Sequence, residues 1–188
     1  MNHCGTLTLE TERLILRRLK ISDAEAAYNN WTSDPEVTKF LTWPTHPDVG
    51  ATRTVLESWM PSYENESYYH WAITLKEKGD KPIGTIHGLV NDDTESIRVG
   101  YCLGRNWWHM GIMSEALRAV MEFFFDIVEA NSINSYHDPN NPHSGMVMQK
   151  CGMKYDGTLR QSDRNNQGIV DASWYSILRE EWNEMENV

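Results

Sequence analysis

The stretch of residues 97–128 constrains the fold most, because the spacing of its apolar residues changes partway along. Apolar residues occupy every second position from Ile97 to Leu103, which is the pattern of a β-strand with two different faces. From Gly111 onward they recur at steps of three and four, which is the spacing of one face of an α-helix. The helical set comprises Met113, Ala116, Leu117, Val120, Met121, Phe124 and Val128. The sequence therefore predicts a strand that leads directly into a helix.

The joint between this strand and helix, residues 104–111, has a glycine at each end. Gly111 precedes the first helical turn, where backbone N–H groups have no partner within the helix. Together with the positive end of the helix dipole, such groups make an anion site, typically for a phosphate. Ser114 and Glu115 suit the first turn of a helix. The alternative is an ordinary connection between a strand and a helix, which a single glycine does not exclude.

Residues 99–117, VGYCLGRNWWHMGIMSEAL, resemble the acetyl-CoA-binding motif of the GCN5-related N-acetyltransferases, the GNAT family. The version is that of ribosomal-protein N-terminal acetyltransferases of the RimJ/RimL type. The matching features are the Gly-Tyr-x-Leu-Gly lead-in, the tryptophan before the loop and the Ser-Glu-Ala-Leu after it. In that family the loop amides hold the pyrophosphate of coenzyme A. Gly111 matches the central glycine of the loop, whereas His109 and Met110 replace a common glycine and basic residue.

A second segment, residues 136–156, is similar to a later motif of the same family. In that motif an Asn-x-x-Ser opens a helix that ends in Lys-x-Gly-Phe/Met. The corresponding residues here are Asn141, Ser144, Lys150, Gly152 and Met153. Because the two motifs occur in the right order and at a fitting separation, the chain is identified as a member of the family. We expect one N-acetyltransferase domain over residues 1–188.

The resemblance implies an α/β (α+β) GNAT fold. Its centre is a mixed, mostly antiparallel, twisted sheet of about seven strands with a splayed parallel pair, flanked by helices on both faces. The residue patterns predict the other strands at 10–20, 68–75, 82–90, 132–137, 154–161 and 169–178. Further helices are predicted after the cap at 21–23, at 49–60 and at 141–150. Strand 132–137 must lie parallel to strand 97–103, since a helix-length crossover joins them.

The resemblance also implies which residues bind acetyl-CoA. Backbone N–H groups of the first strand would hold the pantetheine arm and polarise the thioester carbonyl, the loop would hold the pyrophosphate, and Asn141 would bond the arm. The complete expected set is Val99, Tyr101, Leu103, His109, Met110, Gly111, Ile112, Met113, Ser114, Asn141 and Lys150. No metal is expected, because the three cysteines are widely separated and lack the partner spacing of a metal site.

Ser144 is the expected proton donor to the departing thiolate, a role that a Tyr or Ser of the second motif has in family members. Its alternative role is that of a helix-start hydroxyl. Many relatives place a Glu just before the Gly-Tyr pair, but Arg98 stands there in this chain. The general base is therefore left open among Glu95, His87, His137 and Asp138, each of which also suits a structural role. Three candidates for the acceptor wall, which could equally pack the helices, are Trp43, His46 and Trp59.

The net charge and the hydropathy of the chain limit which partners and which location the sequence predicts. A formal net charge of −10 argues against nucleic-acid binding. The absence of any run of eighteen apolar residues and of a secretory signal predicts a cytoplasmic protein without a membrane span.

An α-amine, with a pKa of about 8, loses its proton more readily than a lysine at about 10.4. We expect a protein N-terminal amine as acceptor. A small-molecule amine (polyamine, amino acid or amino-sugar antibiotic), a non-catalytic acyl-CoA sensor, and a homodimeric state remain open.

Overall fold

One mixed β-sheet of eight strands forms the centre of the computed structural model, which describes residues 1–186. The strands lie in the order β1-β2-β3-β4-β5-β6-β8-β7, and within these residues β5 and β6 are the one parallel pair. Their bounds are β1 Leu9–Glu10, β2 Leu14–Arg18, β3 Tyr69–Leu75, β4 Pro82–Asn91, β5 Ser96–Leu103, β6 Ser132–His137, β7 Lys154–Asn165 and β8 Gly168–Leu178. The predicted fold class is confirmed, with eight strands in place of about seven.

Helices cover both faces of this sheet. On one face, α1 and α3 pack on β3 around a small apolar cluster, while α4 and α6 cover the other face and its larger core. Their bounds are α1 Ala24–Ala27, α2 Pro35–Thr38, α3 Val49–Trp59, α4 Ile112–Glu122, α5 Pro142–Lys150 and α6 Arg179–Glu186. Two π-helical turns, Tyr28–Thr32 and Phe123–Ile127, extend α1 and α4. The short helices α2 and α6 were not predicted from the sequence.

The predicted first strand, residues 10–20, is in fact two strands joined by a tight turn. The backbone N–H of Thr11 donates to the carbonyl of Leu14 at 3.0 Å, and the Leu14 N–H donates to the Thr11 hydroxyl at 3.0 Å. Leu9 consequently pairs with Leu16 in an antiparallel register. Residues 10–13, Glu-Thr-Glu-Arg, are all polar and include no glycine or proline, so neither periodicity nor a turn residue locates the turn. This turn accounts for the eighth strand.

The last hairpin is longer than predicted, because β7 continues to Asn165. β8, the second strand of the hairpin, is the one that pairs with β6, which leaves β7 at the sheet edge. At the hairpin tip, the side-chain amide of Asn166 donates to the carbonyls of Thr38 and Trp43, each at 2.8 Å. The backbone N–H of Asn166 donates to the carbonyl of Leu41 at 3.1 Å. The tip therefore bridges to the segment between α2 and α3.

The parallel pair separates soon after it begins. β5 and β6 pair at three successive positions, the last of which joins Arg98 to Asn134. One residue further on, the Ser135 hydroxyl donates to the carbonyl of Val99 at 2.7 Å, which occupies a group that would otherwise bond the neighbouring strand. Both strands continue beyond this point without pairing to each other. The result is an open wedge between them.

Aromatic rings dominate the core between the sheet and α4. The ring of Phe124 meets those of Tyr69 and Trp71 with centroid separations of 5.0 and 5.9 Å, in the edge-to-face geometry that aromatic pairs favour. Within residues 1–186, no helix is long and apolar enough to cross a bilayer.

This core leaves no room for a side chain at Gly88 of β4. A Cβ there would lie 2.4 Å from the Phe124 ring and 2.9 Å from Ile97. We expect Gly88→Ala to lower the free energy of unfolding by about 1–3 kcal/mol through overpacking, as measured by urea denaturation. Phe124→Leu is the matched partner, since the double variant should lose less than the two single losses added together. Strict additivity would contradict this packing account.

Candidate active site

The joint between β5 and α4 forms a cavity of about 350 Å³. Gly111 is the residue before α4 and has a φ of 74°, a left-handed conformation that glycine adopts without strain. The first N–H groups of α4 have no partner within the helix, and the helix dipole makes this end positive. Three basic residues and one carboxylate are among the lining residues, which are Arg13, Met110, Gly111, Ser114, Glu115, Arg118, Lys150 and Cys151. The predicted helix start therefore coincides with a cavity suited to an anion.

Two basic side chains converge on Gly111. A Cβ at Gly111 would lie 3.6 Å from Nη2 of Arg13 and 3.8 Å from Nζ of Lys150. The Arg13 side chain is oriented by its Nε, which donates to Glu115 at 2.6 Å, and by Nη1, which donates to the Met110 carbonyl at 3.0 Å. Sequence analysis predicted Lys150 but missed Arg13. No local signal links Arg13 to a loop so far along the chain.

Glu115 is the carboxylate that holds Arg13 in place. Its Oε1 accepts from the Thr11 hydroxyl at 2.5 Å and from the Arg13 backbone N–H at 3.0 Å. Burial alone would raise the pKa of Glu115, but these hydrogen bonds and the Arg13 charge outweigh it and lower that pKa below its ordinary value. Glu115 is therefore ionised at neutral pH, and it keeps the guanidinium at the mouth of the cavity.

The other predicted loop residues differ in which groups they can offer to a ligand. Ile112 and Met113 bury their side chains in the core, so they can offer only backbone groups to a ligand. Met110 is 54% exposed. His109 has a φ of 61°, and its ring lies 4.9 Å from that of His143. Their contacts with a cofactor remain predictions.

Two hydroxyl groups meet beside the wedge. The hydroxyl of Tyr101, on β5, donates to the carbonyl of Ser144 at 2.9 Å, and the Ser144 hydroxyl donates to the Tyr101 oxygen at 3.2 Å. Burial raises the pKa of Tyr101 well above its ordinary value, against a smaller opposing effect of the Ser144 hydrogen bond. Sequence analysis predicted only a backbone role for Tyr101. Its hydroxyl adds a second proton-bearing group next to Ser144.

A larger cleft of about 750 Å³ opens on the side of α1 and α3. The three candidates for the acceptor wall, Trp43, His46 and Trp59, all line it, as does Asn141, which precedes α5 without a side-chain cap bond. His46 is fixed through Nδ1 by the Thr52 hydroxyl at 2.8 Å. Ser144 lines the same cleft. The wedge therefore opens into a second chamber, whose wall includes several aromatic side chains.

His70 of β3 and His87 of β4, here called the histidine pair, lie at the sheet side of this cleft. Their ring centroids are 5.4 Å apart, and the ring of Trp59 lies 4.4 Å from that of His70. Burial, and then the charge of Arg98, lowers the pKa of His87 to about 4. Burial and the neighbouring His87 hold the pKa of His70 well below its ordinary value. Sequence analysis missed His70, although the register of the predicted hairpin would have paired it with His87.

The other candidate bases occupy different surroundings. Glu95 lies in the turn before β5, with the N-terminal amine 3.8 Å from its carboxylate. Asp138 accepts hydrogen bonds from the backbone N–H of Asn140 at 2.8 Å, and from the side-chain amides of Asn140 at 3.0 Å and Asn165 at 2.9 Å. His137 packs against α5, since a Cβ at Gly145 would lie 2.5 Å from its Nε2.

A sheet that opens between two parallel strands, with a positively charged helix start on one side and a separate cleft on the other, defines an acyltransferase that works on two substrates. The chain belongs to the Acetyltransferase (GNAT) domain family, whose model matches residues 13–154. It is similar over 176 residues to the uncharacterized N-acetyltransferase p20 of Bacillus licheniformis, at 30% identity, covering 93% of this chain and 98% of that protein. The protein is therefore a GNAT N-acetyltransferase.

Two further likenesses are more distant. The [ribosomal protein uS5]-alanine N-acetyltransferase of Escherichia coli is 21% identical over 111 residues, which cover 59% of this chain and 55% of that enzyme. The crystal structure of the microcin C7 self immunity acetyltransferase MccE, in complex with acetyl-CoA and AMP, is 20% identical with a TM-score of 0.79, covering 89% of this chain and 93% of that one. The first likeness is too low to assign the RimJ/RimL subtype, and the second shows the fold alone.

Acid should destabilise the protein partly through the histidine pair. Between pH 6.5 and about 4 the unfolded chain binds protons on His70 and His87 that the folded chain excludes, so the free energy of unfolding falls as the pH falls through this window. We expect the double variant His70→Gln/His87→Gln to show a shallower dependence, measured by urea denaturation at several pH values from 7 to 4. Equal slopes in the variant and the unchanged protein would contradict the buried, neutral state of the pair.

Proposed function

We propose that the protein transfers an acetyl group from acetyl-CoA to a primary amine, and that the acceptor is the α-amine at a polypeptide N-terminus. The observation that carries the donor assignment is the cavity at Gly111, where Arg13 and Lys150 converge on the positive end of α4. Unpaired amides at a helix start and nearby cations both stabilise a bound diphosphate. The protein carries a net charge of −10, so this local gathering of positive charge is not a general property of its surface.

The rest of the donor fits the wedge. With a diphosphate at the N–H groups of Gly111, Ile112 and Met113, the pantetheine arm would run along the unpaired edge of β5. The backbone groups of β5 beyond Val99 are free of β6, so they can bond the amides of the arm. Asn141, which makes no cap bond with its side chain, is available from the opposite wall.

The chemistry follows from the groups along this edge. Acetyl-CoA supplies an acyl group on a thiol leaving group. A backbone N–H of β5 directed at the thioester oxygen would stabilise the negative charge that develops when the amine attacks. The hydroxyl groups of Ser144 and Tyr101, which bond each other, would stand near the sulfur and supply the proton that the thiolate takes up.

The acceptor side supports a weakly basic amine that enters end-on. The hairpin tip at Asn166 bridges across to the segment between α2 and α3, so a chain end fits the cleft better than a side chain within a flat protein surface. Arg98 lines the cleft and disfavours an ammonium ion next to it. An α-amine, with a pKa of about 8, is neutral far more often than an alkylamine at about 10.4. The uS5-alanine N-acetyltransferase, a distant relative, acts on an amine of this kind, as its name states.

A small-molecule amine is the second candidate acceptor. The same bridge at Asn166 also suits a compact molecule held within about 750 Å³. MccE, of similar fold, is described with AMP as well as acetyl-CoA. A free amino acid or its derivative would share the low pKa of an α-amine and add a carboxylate that Arg98 could pair.

Thiol release from acetyl-CoA tests the proposed function directly. The panel contains peptides that begin with alanine or serine, free alanine, lysine blocked at its α-amine, spermidine and glucosamine. We expect the peptides to give the highest kcat/KM. Faster turnover with free alanine would favour the second candidate, whereas binding of acetyl-CoA without turnover of any amine would point to a non-catalytic sensor.

Removing positive charge at Gly111 should weaken cofactor binding. We expect Lys150→Gln and Arg13→Gln each to raise the Kd for coenzyme A by about tenfold, since a charge-assisted bond to phosphate contributes about 1.5 kcal/mol. Isothermal titration calorimetry measures the change. Lys154→Gln is the matched control, because Lys154 lies on the surface and pairs with Glu181. Equal affinities in all three variants would place the diphosphate elsewhere.

Removing the two hydroxyl groups should slow transfer without affecting cofactor binding. We expect Ser144→Ala and Tyr101→Phe each to lower kcat by about tenfold, and the double variant by clearly more than about 100-fold, because either hydroxyl can partly replace the other as a proton donor in a single variant. Steady-state kinetics give kcat, and calorimetry should find the Kd for acetyl-CoA within about threefold of the original. Ser176→Ala, on β8, is the matched control. An unchanged kcat in the double variant would remove both groups from the reaction.

A further inference from the structure

His87 lies at the point where β5 leaves β6. β4 and β5 are antiparallel, and their register places His87 directly opposite Gly100. The His87 ring occupies the space that a side chain at Gly100 would need, since a Cβ there would lie 2.6 Å from its Cε1 and 2.7 Å from its Nε2. Gly100 follows Val99, whose carbonyl is the one bonded by Ser135. The imidazole is therefore at the start of the wedge.

The alternation of side chains along β5 separates two kinds of chemistry. Tyr101 points to the α5 side, where its hydroxyl meets Ser144. Gly100, the preceding residue, faces the opposite side of the sheet, where His87 lies. A thioester held along the edge of β5 would have proton donors near its sulfur on one side. On the other side, from which an amine must approach, it would have the imidazole.

The histidine pair has ring nitrogens that no hydrogen bond occupies. An amine could therefore bond to them without displacing another group. Within residues 1–186, His87 makes no hydrogen bond through its ring. His70 shares a hydrogen bond between its Nδ1 and the Tyr68 hydroxyl at 3.2 Å, while its Nε2 is buried and unpaired. A buried polar nitrogen without a partner is unfavourable. An N–H group entering the cleft would supply one.

The groups around the pair keep both rings in the neutral form. His87 faces His70 from β3 and Arg98 from β5, and Trp59 of α3 covers the face of His70. The carboxylates that line the same cleft, Asp138 and Asp163, belong to other parts of its wall. Because burial lowers the pKa of both histidines, each ring is neutral at neutral pH and keeps a nitrogen lone pair that an acidic N–H can donate to.

We propose, on the basis of the proposed function, that His87 is the catalytic group that accepts the proton of the attacking amine, and that His70 is a positioning residue that orients its ring. The amine nitrogen forms a bond to the thioester carbon, and its N–H proton passes to His87. The carbon–sulfur bond then breaks, and sulfur leaves with the electron pair and takes a proton from Ser144. The imidazolium of His87 returns its proton to water, and Ser144 regains one from water, so atoms and charges balance.

The weak basicity of His87 fits the timing of this step. The N–H group of the amine becomes strongly acidic only as the bond from nitrogen to carbon forms. A weak base can therefore take the proton late in the step, and it does not need to be strong enough to deprotonate the free amine. The remaining three candidates are less well placed. His137 shares a hydrogen bond between its Nδ1 and the Asp138 carbonyl at 2.8 Å, and its Nε2 packs against Gly145 of α5. Asp138 is already engaged by three N–H groups, and Glu95 lies in the turn that precedes β5.

Two substitutions at His87, studied with the fastest amine of the thiol-release panel, test this proposal. We expect His87→Gln and His87→Ala to lower kcat/KM for the amine by about 100-fold, with the Kd for acetyl-CoA within about threefold of the original. Imidazole added to the buffer should restore activity to His87→Ala in proportion to its neutral form, which a purely structural role for His87 would not produce. His3→Gln, a substitution of the same kind at a partly buried histidine that bonds Asp92 and does not line the cleft, is the matched control.

Gly100→Ala gives an independent variant that keeps the imidazole. The added Cβ would displace the His87 ring, so kcat/KM should fall while imidazole in the buffer has no effect. His87 variants within about threefold of the original kcat/KM, or a loss that imidazole does not restore, would overturn the role of His87 and leave the acetyltransferase assignment intact. Absence of thiol release by the unchanged protein with every amine would overturn both.

Discussion

The separation of β5 from β6 is the constraint on which the site depends. Their pairing ends after three positions, and the Ser135 hydroxyl occupies the Val99 carbonyl at the point where the strands part. A strand edge inside a sheet normally has all its backbone groups paired, because an unpaired buried N–H or carbonyl is costly. Here the unpaired groups of β5 face a cavity, so a ligand with amide groups of its own can take the place of the missing strand.

The positions of the other groups follow from the two ends and two faces of β5. At its C-terminal end the chain turns through Gly111 into α4, whose first amides face the cavity near Arg13 and Lys150. Across its two faces, alternation sends Tyr101 to one side and Gly100 to the other. One strand thus sets the positions of the proposed anion site, of the proposed proton donors and of the start of the cleft.

Much of this could be predicted, because most elements have a complete apolar face or a recognisable start. β3 to β6 and α4 appear at the predicted places for that reason. The turn at Thr11 could not be found, since it depends on one side-chain hydrogen bond within a polar stretch that has no glycine or proline. Arg13 and Met110 come together only through the folded sheet. His70 is an intermediate case. Its position in the sequence does not mark it as a site residue, but a correct register of the hairpin places it opposite His87.

A basic residue, Arg98, rather than an acidic one stands before the Gly-Tyr pair. Its charge affects which acceptor amine suits the cleft. A carboxylate at this position would raise the pKa of a nearby imidazole and attract an ammonium ion, whereas here burial, and then the guanidinium, lower the pKa of His87. Such a cleft would favour an amine that is already neutral when it enters. Proton removal needs less assistance for such an amine, so a histidine of low basicity, the proposed base, would be sufficient where a carboxylate would serve a more basic acceptor. The charge of Arg98 and the proposed role of His87 are therefore consistent with each other.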